Sequence, residues 1–425
     1  MADDGILSDE LLRELMAVGE VDILVGVTTW NNAATIEQVL QAVQTALVRY
    51  FPRQRTLLIA ADAGSRDETP RLVAAAGTAE SPVVMAEALR TLPQIVVPYH
   101  GAPGRGAALR TVFAAAELAR AKACAVVGGD AGGLTPEWIE RLVRPVLRDG
   151  YDFVAPLYRR PPLDGLLVRN LLYPVTRAVY GVRVREPLSD EYGVSARLAG
   201  HLIGHPVWST ELGTVGIDLW LTAAAATGDY RMCEAVLGPR LPAARAESPA
   251  VTDIVRQVVG SLFACLELHE AWWTAEHPGR EVPVLGGEEP ADPESSAVPW
   301  QPMLDRFRSG VTDLAGVLGE LLAPDTLAAV TALAARSGGP VEFPDTLWAR
   351  TVYDLAASYH HAAMRRSHLL QAVTPLYLGR AGAFVAAHQD RPAAEVDRAV
   401  EALGAAFAGE RGYLLERWKD GGAKP

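Results

Sequence analysis

Ile23-Leu24-Val25-Gly26-Val27-Thr28-Thr29-Trp30-Asn31-Asn32 decides how the rest of the chain is read. An apolar run ends abruptly in polar residues, and residues 33–50 then carry Ile36, Val39, Leu40, Val43 and Leu47 on one helical stripe. The same order recurs downstream. Strand 56–61 ends in Asp62-Ala63-Gly64-Ser65-Arg66-Asp67-Glu68-Thr69, before a helix over 68–77. Strand 94–98 leads into Gly101-Ala102-Pro103-Gly104-Arg105-Gly106 and a helix over 107–121. Strand 123–127 ends in Gly128-Gly129-Asp130-Ala131-Gly132-Gly133, and Thr135-Pro136 opens the next helix with Thr at the N-cap and Pro at N1. A short amphipathic helix over 5–19 precedes all of this, and a strand over 152–157 follows it. The alternation predicts a doubly wound α/β domain with a parallel sheet, whose polar strand ends share the carboxyl edge where ligands bind.

Beyond about residue 245 the texture changes. Segments 249–275, 300–322, 324–336, 345–372 and 378–420 carry helical periodicity with few β-branched runs, while 281–300 is rich in Pro, Gly and acids and reads as a surface loop. The expected organisation is an α/β domain over 1–245 and a mainly helical domain over 246–425. No internal repeat is visible.

Whole-chain properties narrow the function classes. The 425 residues suffice for two or three domains, each with its own core. With 49% hydrophobic and 21% charged residues the composition is that of a soluble globular protein. A net charge of -12 argues against non-specific nucleic-acid binding. No apolar run reaches the roughly 20 residues of a membrane span. The acidic start Met1-Ala2-Asp3-Asp4 is not a secretory signal, so a cytoplasmic protein is expected. Cys124, Cys233 and Cys265 are too scattered for a disulfide framework or a zinc site, and read as buried thiols. Abundant Ala, Arg, Gly and Pro with few Lys suggest a bacterial source.

Candidate chemistry gathers at the strand ends. Asp62 is an acceptor-only carboxylate, suited either to a ligand's N–H or, with Ser65, to the free amides of the next helix. Gly104 and Gly106 flank Arg105 at a helix start, where backbone can approach an anion whose charge Arg105 and the helix N-terminus would stabilise. Asp130, after Gly129, is a metal-type carboxylate for Mg²⁺ or Mn²⁺. Further along stand Glu186-Pro187-Leu188-Ser189-Asp190-Glu191-Tyr192-Gly193 and Gly216-Ile217-Asp218. The pair His360-His361 is adjacent and cannot share one helix face, so it reads as packing rather than chemistry.

Together these segments resemble the GT-A retaining glycosyltransferases of the mannosylglycerate synthase and glucosyl-3-phosphoglycerate synthase type. The resemblance rests on Pro187-Leu188-x-x-Glu191-Tyr192 and on Gly216-Ile217-Asp218 before an apolar helix. It extends to Glu276-His277-Pro278-Gly279-Arg280-Glu281-Val282-Pro283-Val284 and to Phe343-Pro344-Asp345-x-x-Trp348-Ala349-x-Thr351-Val352-Tyr353. It implies that Thr28, Thr29, Trp30 and Asn31 touch the nucleoside, Asp62 its base, and Gly104, Arg105 and Gly129 the diphosphate side of a nucleotide sugar. Asp130 would hold the metal. Asp218 and Glu191 would be the catalytic carboxylates, and Arg159, Arg160 and Arg169 would face an anionic acceptor.

Two departures from that family bear on the metal. Gly128 stands where the first Asp of an Asp-x-Asp pair is expected, and Ala243 where a His ligand is expected. Arg240 or Arg245 could place a cation against the diphosphate instead. The reading is a hexosyltransferase acting on a nucleotide diphosphate sugar and a small anion such as glycerate or phosphoglycerate, working as a homodimer. The alternative is a nucleotide-sugar-binding protein with little or no turnover.

Overall fold

The structure, a computed structural model, describes residues 7–78, 94–97, 104–240, 251–286, 297–336 and 338–420. The chain divides into two compact units, and neither is continuous. The first is Met1–Arg159, Leu188–Ala246 and Val282–Glu289; the second is Arg160–Pro187, Glu247–Glu281 and Pro290–Pro425. A single boundary at 245 therefore leaves 160–187 on the wrong side. Leu171, Leu172, Tyr173 and Val175 are almost fully buried there, among helices of the second unit.

The first unit is built on a sheet of order β3-β2-β1-β4-β6-β5-β7-β8. The strands are β1 Ile23–Thr29, β2 Thr56–Asp62, β3 Gln94–Val97, β4 Ala123–Gly128, β5 Phe153–Arg159, β6 Tyr192–Ser195, β7 Met232–Pro239 and β8 Val284–Leu285. The five strands expected from the sequence are present within two residues at either end. The sheet is α/β and largely parallel, but not wholly so: β6 runs antiparallel to both β4 and β5. That short strand was not legible, because four residues give no alternation to read.

Side chains alternate across β1, and both faces are covered. Ile23, Val25 and Val27 enter one core with the helices Ile36–Tyr50 and Pro136–Asp149. On the other face, a Cβ at Gly26 would lie only 2.4 Å from Val112 Cγ1. Gly26 thus lets the helix Arg105–Leu118 lie directly against β1, and this close approach brings the helix start to the strand's carboxyl end.

The second unit is mainly helical, as expected. Two of its buried charged groups are closely paired. Asp354 accepts from Ala323 N, Tyr413 OH and Arg417 Nε at 2.7–2.9 Å. Arg380 donates to Phe343 O and Asn170 Oδ1 and pairs with Asp345 at 2.7 Å. The expected helix break near 373–377 lies instead at 361–365, where Ala362 has φ +50°. Helix Arg366–His388 runs through Pro375 unbroken. His360 stacks on Trp418 at 4.1 Å, a packing role. No helix among the described residues is long and apolar enough to cross a membrane. All three cysteines are buried, and burial pushes the Cys124 and Cys233 thiols up to about 12.

Candidate active site

Strand order changes direction between β1 and β4, which lie side by side with β2 on one flank and β6 on the other. Such a switch point opens a crevice at the carboxyl ends. Thr28 of β1 is in register with Gly128 of β4, and Gly129 N donates to Thr28 O at 2.8 Å. Because β6 is antiparallel, its entry rather than its exit lies at this edge. The pairing Val126–Tyr192 carries Glu191 opposite Val127 and Asp190 opposite Gly128. Tyr158 arrives at the end of β5, and Arg240 directly follows β7.

The loops after β1 and β2 are stapled together. Asn31 N donates to Ser65 Oγ, Arg66 N to Asn31 Oδ1, Asn32 N to Thr69 Oγ1 and Ala33 N to Asp67 Oδ2, all at 2.7–3.1 Å. Asn31 takes a left-handed conformation, φ +53°, which Asn tolerates better than most side chains. Asp62 is the centre of the second loop. Its oxygens accept from Thr29 Oγ1, Gly64 N, Ser65 N and Ser65 Oγ at 2.6–3.0 Å. Four bonds fill a carboxylate's acceptor positions. Asp62 therefore builds the turn, the second of its two readings, and does not present a vacant oxygen to a base. The outward group here is Trp30, 63% exposed. Gly129 is required by closeness: a Cβ there would stand 2.7 Å from Asn32 Oδ1 and 3.2 Å from Thr28 O.

Arg105, the first residue of its helix, is the hub. Its Nε donates to both Asp218 oxygens at 2.9 and 2.8 Å, one terminal nitrogen donates to Thr28 Oγ1 at 2.5 Å, and the other to Asp190 O at 2.7 Å. Asp218 lies in the first turn of helix Ile217–Thr227, capped by Gly216, and its side chain serves Arg105 rather than the helix amides. Tyr192 OH also donates to it at 3.3 Å. Burial pushes the Asp218 carboxyl up to about 6 against the opposing pull of Arg105. Burial works against the Arg105 charge, but Asp218 and Asp190 more than offset it and hold the guanidinium firmly protonated.

Glu191 is fully buried, and burial raises its pKa against the pull of Arg240. Its Oε2 is bonded by Tyr158 OH, which also meets Ser189 Oγ at 2.7 Å, while Oε1 has no hydrogen-bond partner. That orphaned oxygen lies 3.5 Å from where a Gly128 Cβ would be. Arg240 donates to Asp190 Oδ2 at 2.9 Å and lies 3.7 Å from Glu191 Oε2.

The structure thus gathers Thr28, Gly129, Arg105, Glu191 and Asp218, and adds Tyr158, Asp190 and Arg240. Tyr158 and Asp190 were missed; the latter's placement depends on the antiparallel register of β6. Arg160 and Arg169 belong to the second unit and are held in ion pairs there. Arg160 forks onto Glu186 at 2.8 and 2.9 Å, and Arg169 pairs with Asp397 at 3.0 Å. Arg159 closes β5, its carbonyl accepting from Arg240 N at 3.3 Å.

The donor set that a protein-held divalent metal needs is not assembled among the described residues. Asp130 Oδ1 lies 3.0 Å from the Cβ position of Gly128, which supplies no ligand of its own. No group of three His, Cys, Asp or Glu side chains is placed to hold an ion among the described residues. Ala243 and Arg245 lie outside them.

No protein-family model matches the chain, and no curated protein matches it. Among solved structures, it is similar to glucosyl-3-phosphoglycerate synthase from Mycobacterium tuberculosis. The crystal structure of that enzyme with Mn²⁺, UDP and glucosyl-3-phosphoglycerate aligns at 22% identity and a TM-score of 0.42, over 62% of this chain and 86% of that one. The complex with Mg²⁺ and UDP aligns at 23% identity and a TM-score of 0.43, over 60% and 83%. A structure described only as a mycobacterial protein gives 22% identity and a TM-score of 0.42, over 60% and 77%. These are partial likenesses, and the reading of the site rests on its own geometry.

Proposed function

We propose that the chain is a cytoplasmic hexosyltransferase of the GT-A type, moving a sugar from a nucleotide diphosphate to a small anionic acceptor with retention at the anomeric carbon. The observation that carries this reading is the Arg105–Asp218 pair beside Glu191, buried at the carboxyl edge where β1 meets β4.

In this reading the nucleoside lies on the stapled loops, with its base on the exposed Trp30 indole and its ribose near Asn31. Arg105, at a helix N-terminus, faces the diphosphate. Transfer breaks the bond between the anomeric carbon and the phosphate oxygen and forms one to the acceptor hydroxyl oxygen. The hydroxyl proton passes to the leaving phosphate. Asp218 in its ionised form orients that hydroxyl and stabilises positive charge developing on the sugar, and Glu191 holds the sugar from the side of β6. Glycerate or phosphoglycerate is the acceptor class, with Arg159 as its cation, and the working form is a homodimer. The test is chromatographic. The protein is incubated with UDP-, GDP- and ADP-glucose and 3-phosphoglycerate, with light scattering on the same sample. Release of nucleoside diphosphate matched by a glycosylated acid supports the reading; no product from any donor refutes it.

A further inference from the structure

Asp190 is held between two guanidinium groups. Its Oδ2 accepts from Arg240 at 2.9 Å and its Oδ1 lies 3.5 Å from Arg105 Nε. The three side chains are 29%, 20% and 22% exposed, so the cluster is reachable from solvent while largely desolvated. Arg240 also lies over the Tyr158 ring at 5.0 Å. Its charge is secure, since Glu191, Tyr158 and Asp190 outweigh the cost of burial. Directly beside this cluster is Gly128. A Cβ at that position would lie 3.3 Å from Asp190 Cβ and 3.0 Å from Asp130 Oδ1, tighter than ordinary contact. The edge is packed closely around this glycine, so a side chain there would need Asp130 or Asp190 to shift.

A carboxylate clamped between two arginines occupies the kind of seat that phosphate oxygens take, because both anions match the guanidinium fork. Building on the donor reading above, we propose that Arg240 and Arg105 form the seat of the donor's diphosphate. Asp190 is the internal counterion that the diphosphate displaces, and the seat works without a divalent cation. Two arginines carry the positive charge that a metal would otherwise supply, one from the start of helix Arg105–Leu118 and one from the end of β7.

Calorimetric titration of UDP, GDP and ADP into the full chain, in EDTA and again with Mn²⁺, tests this. The best of the three nucleotides binds in EDTA within about threefold of its affinity in Mn²⁺. Arg240→Gln loses about tenfold or more in EDTA, and Arg240→Lys recovers part of that loss. Asp190→Asn binds several-fold more tightly than the parent, a gain that misfolding cannot produce. Binding that appears only with Mn²⁺ and is indifferent to Arg240→Gln overturns the proposal while leaving the donor reading standing. Failure of all three nucleotides in both buffers overturns both.

Discussion

Asp218 and Glu191 are two carboxylates pushed the same way by burial and restrained by different arginines. Asp218 titrates near 6 in the folded chain against roughly 3.9 when unfolded. The sign follows from that. Its protonated form is favoured by folding, so its contribution to stability is greatest below about 4 and is lost as pH rises through about 6. Its proposed catalytic form is the ionised one, so transfer rises between pH 5 and 7. Asp218→Asn should lower kcat by about 10²–10⁴-fold while leaving nucleotide affinity within about threefold, and should remove that acidic limb. Full activity in this variant would remove Asp218 from the mechanism. Asp62 gives a different kind of prediction, because its oxygens are fully engaged within its own loop and with Thr29. Asp62→Ala should destabilise by about 2 kcal/mol or more through several unmet donors and weaken UDP, GDP and ADP alike. Loss confined to UDP and GDP, read by calorimetry and urea unfolding, would restore it as a base contact. The residue types at these positions were legible from sequence; what each oxygen bonds was not, since the resemblance implies a base contact for Asp62, whose partners lie in its own loop and on Thr29.

At the level of elements, four strand–loop–helix units were readable because an apolar run ending in polar residues before a 3.6-residue periodicity has few other interpretations. Strand β6 carried no such signal, and with it went the placement of Asp190. The packing of glycine at strand ends was likewise silent in the sequence. Gly129→Ala would drive a Cβ toward Asn32 Oδ1 and Thr28 O, and should cost about 1–3 kcal/mol in urea unfolding with a parallel loss of nucleotide binding. A neutral outcome would mean that the Asn32 loop yields freely. In the second unit, Asp354→Asn weakens a fully buried carboxylate that caps one segment through Ala323 and pairs with Arg417. About 3 kcal/mol of destabilisation is expected, since Arg417 is left without its counter-charge.

For the whole molecule, the informative departure is the exchange of segments between the units. Residues 160–187 were expected in the α/β domain over 1–245, and no signal in that stretch says which core it enters. The structure puts them in the second unit, while Val282–Glu289 returns to the first and adds β8 beside β7. A fragment ending at residue 245 would lack β8 and expose Leu171, Leu172 and Tyr173, so it should aggregate and bind ANS, whereas the full chain should not. A soluble, cooperative fragment would show that the first unit folds without its returning strand. The central claim concerns chemistry rather than assembly, and one measurement meets it directly. Proton NMR of the full chain with UDP-, GDP- or ADP-glucose and 3-phosphoglycerate follows the anomeric signal in time, with Asp218→Asn alongside. The account predicts loss of the donor's α-anomeric doublet, growth of a new α-linked one, and neither change in the variant. An unchanged donor spectrum for all three, or equal turnover in Asp218→Asn, would contradict it.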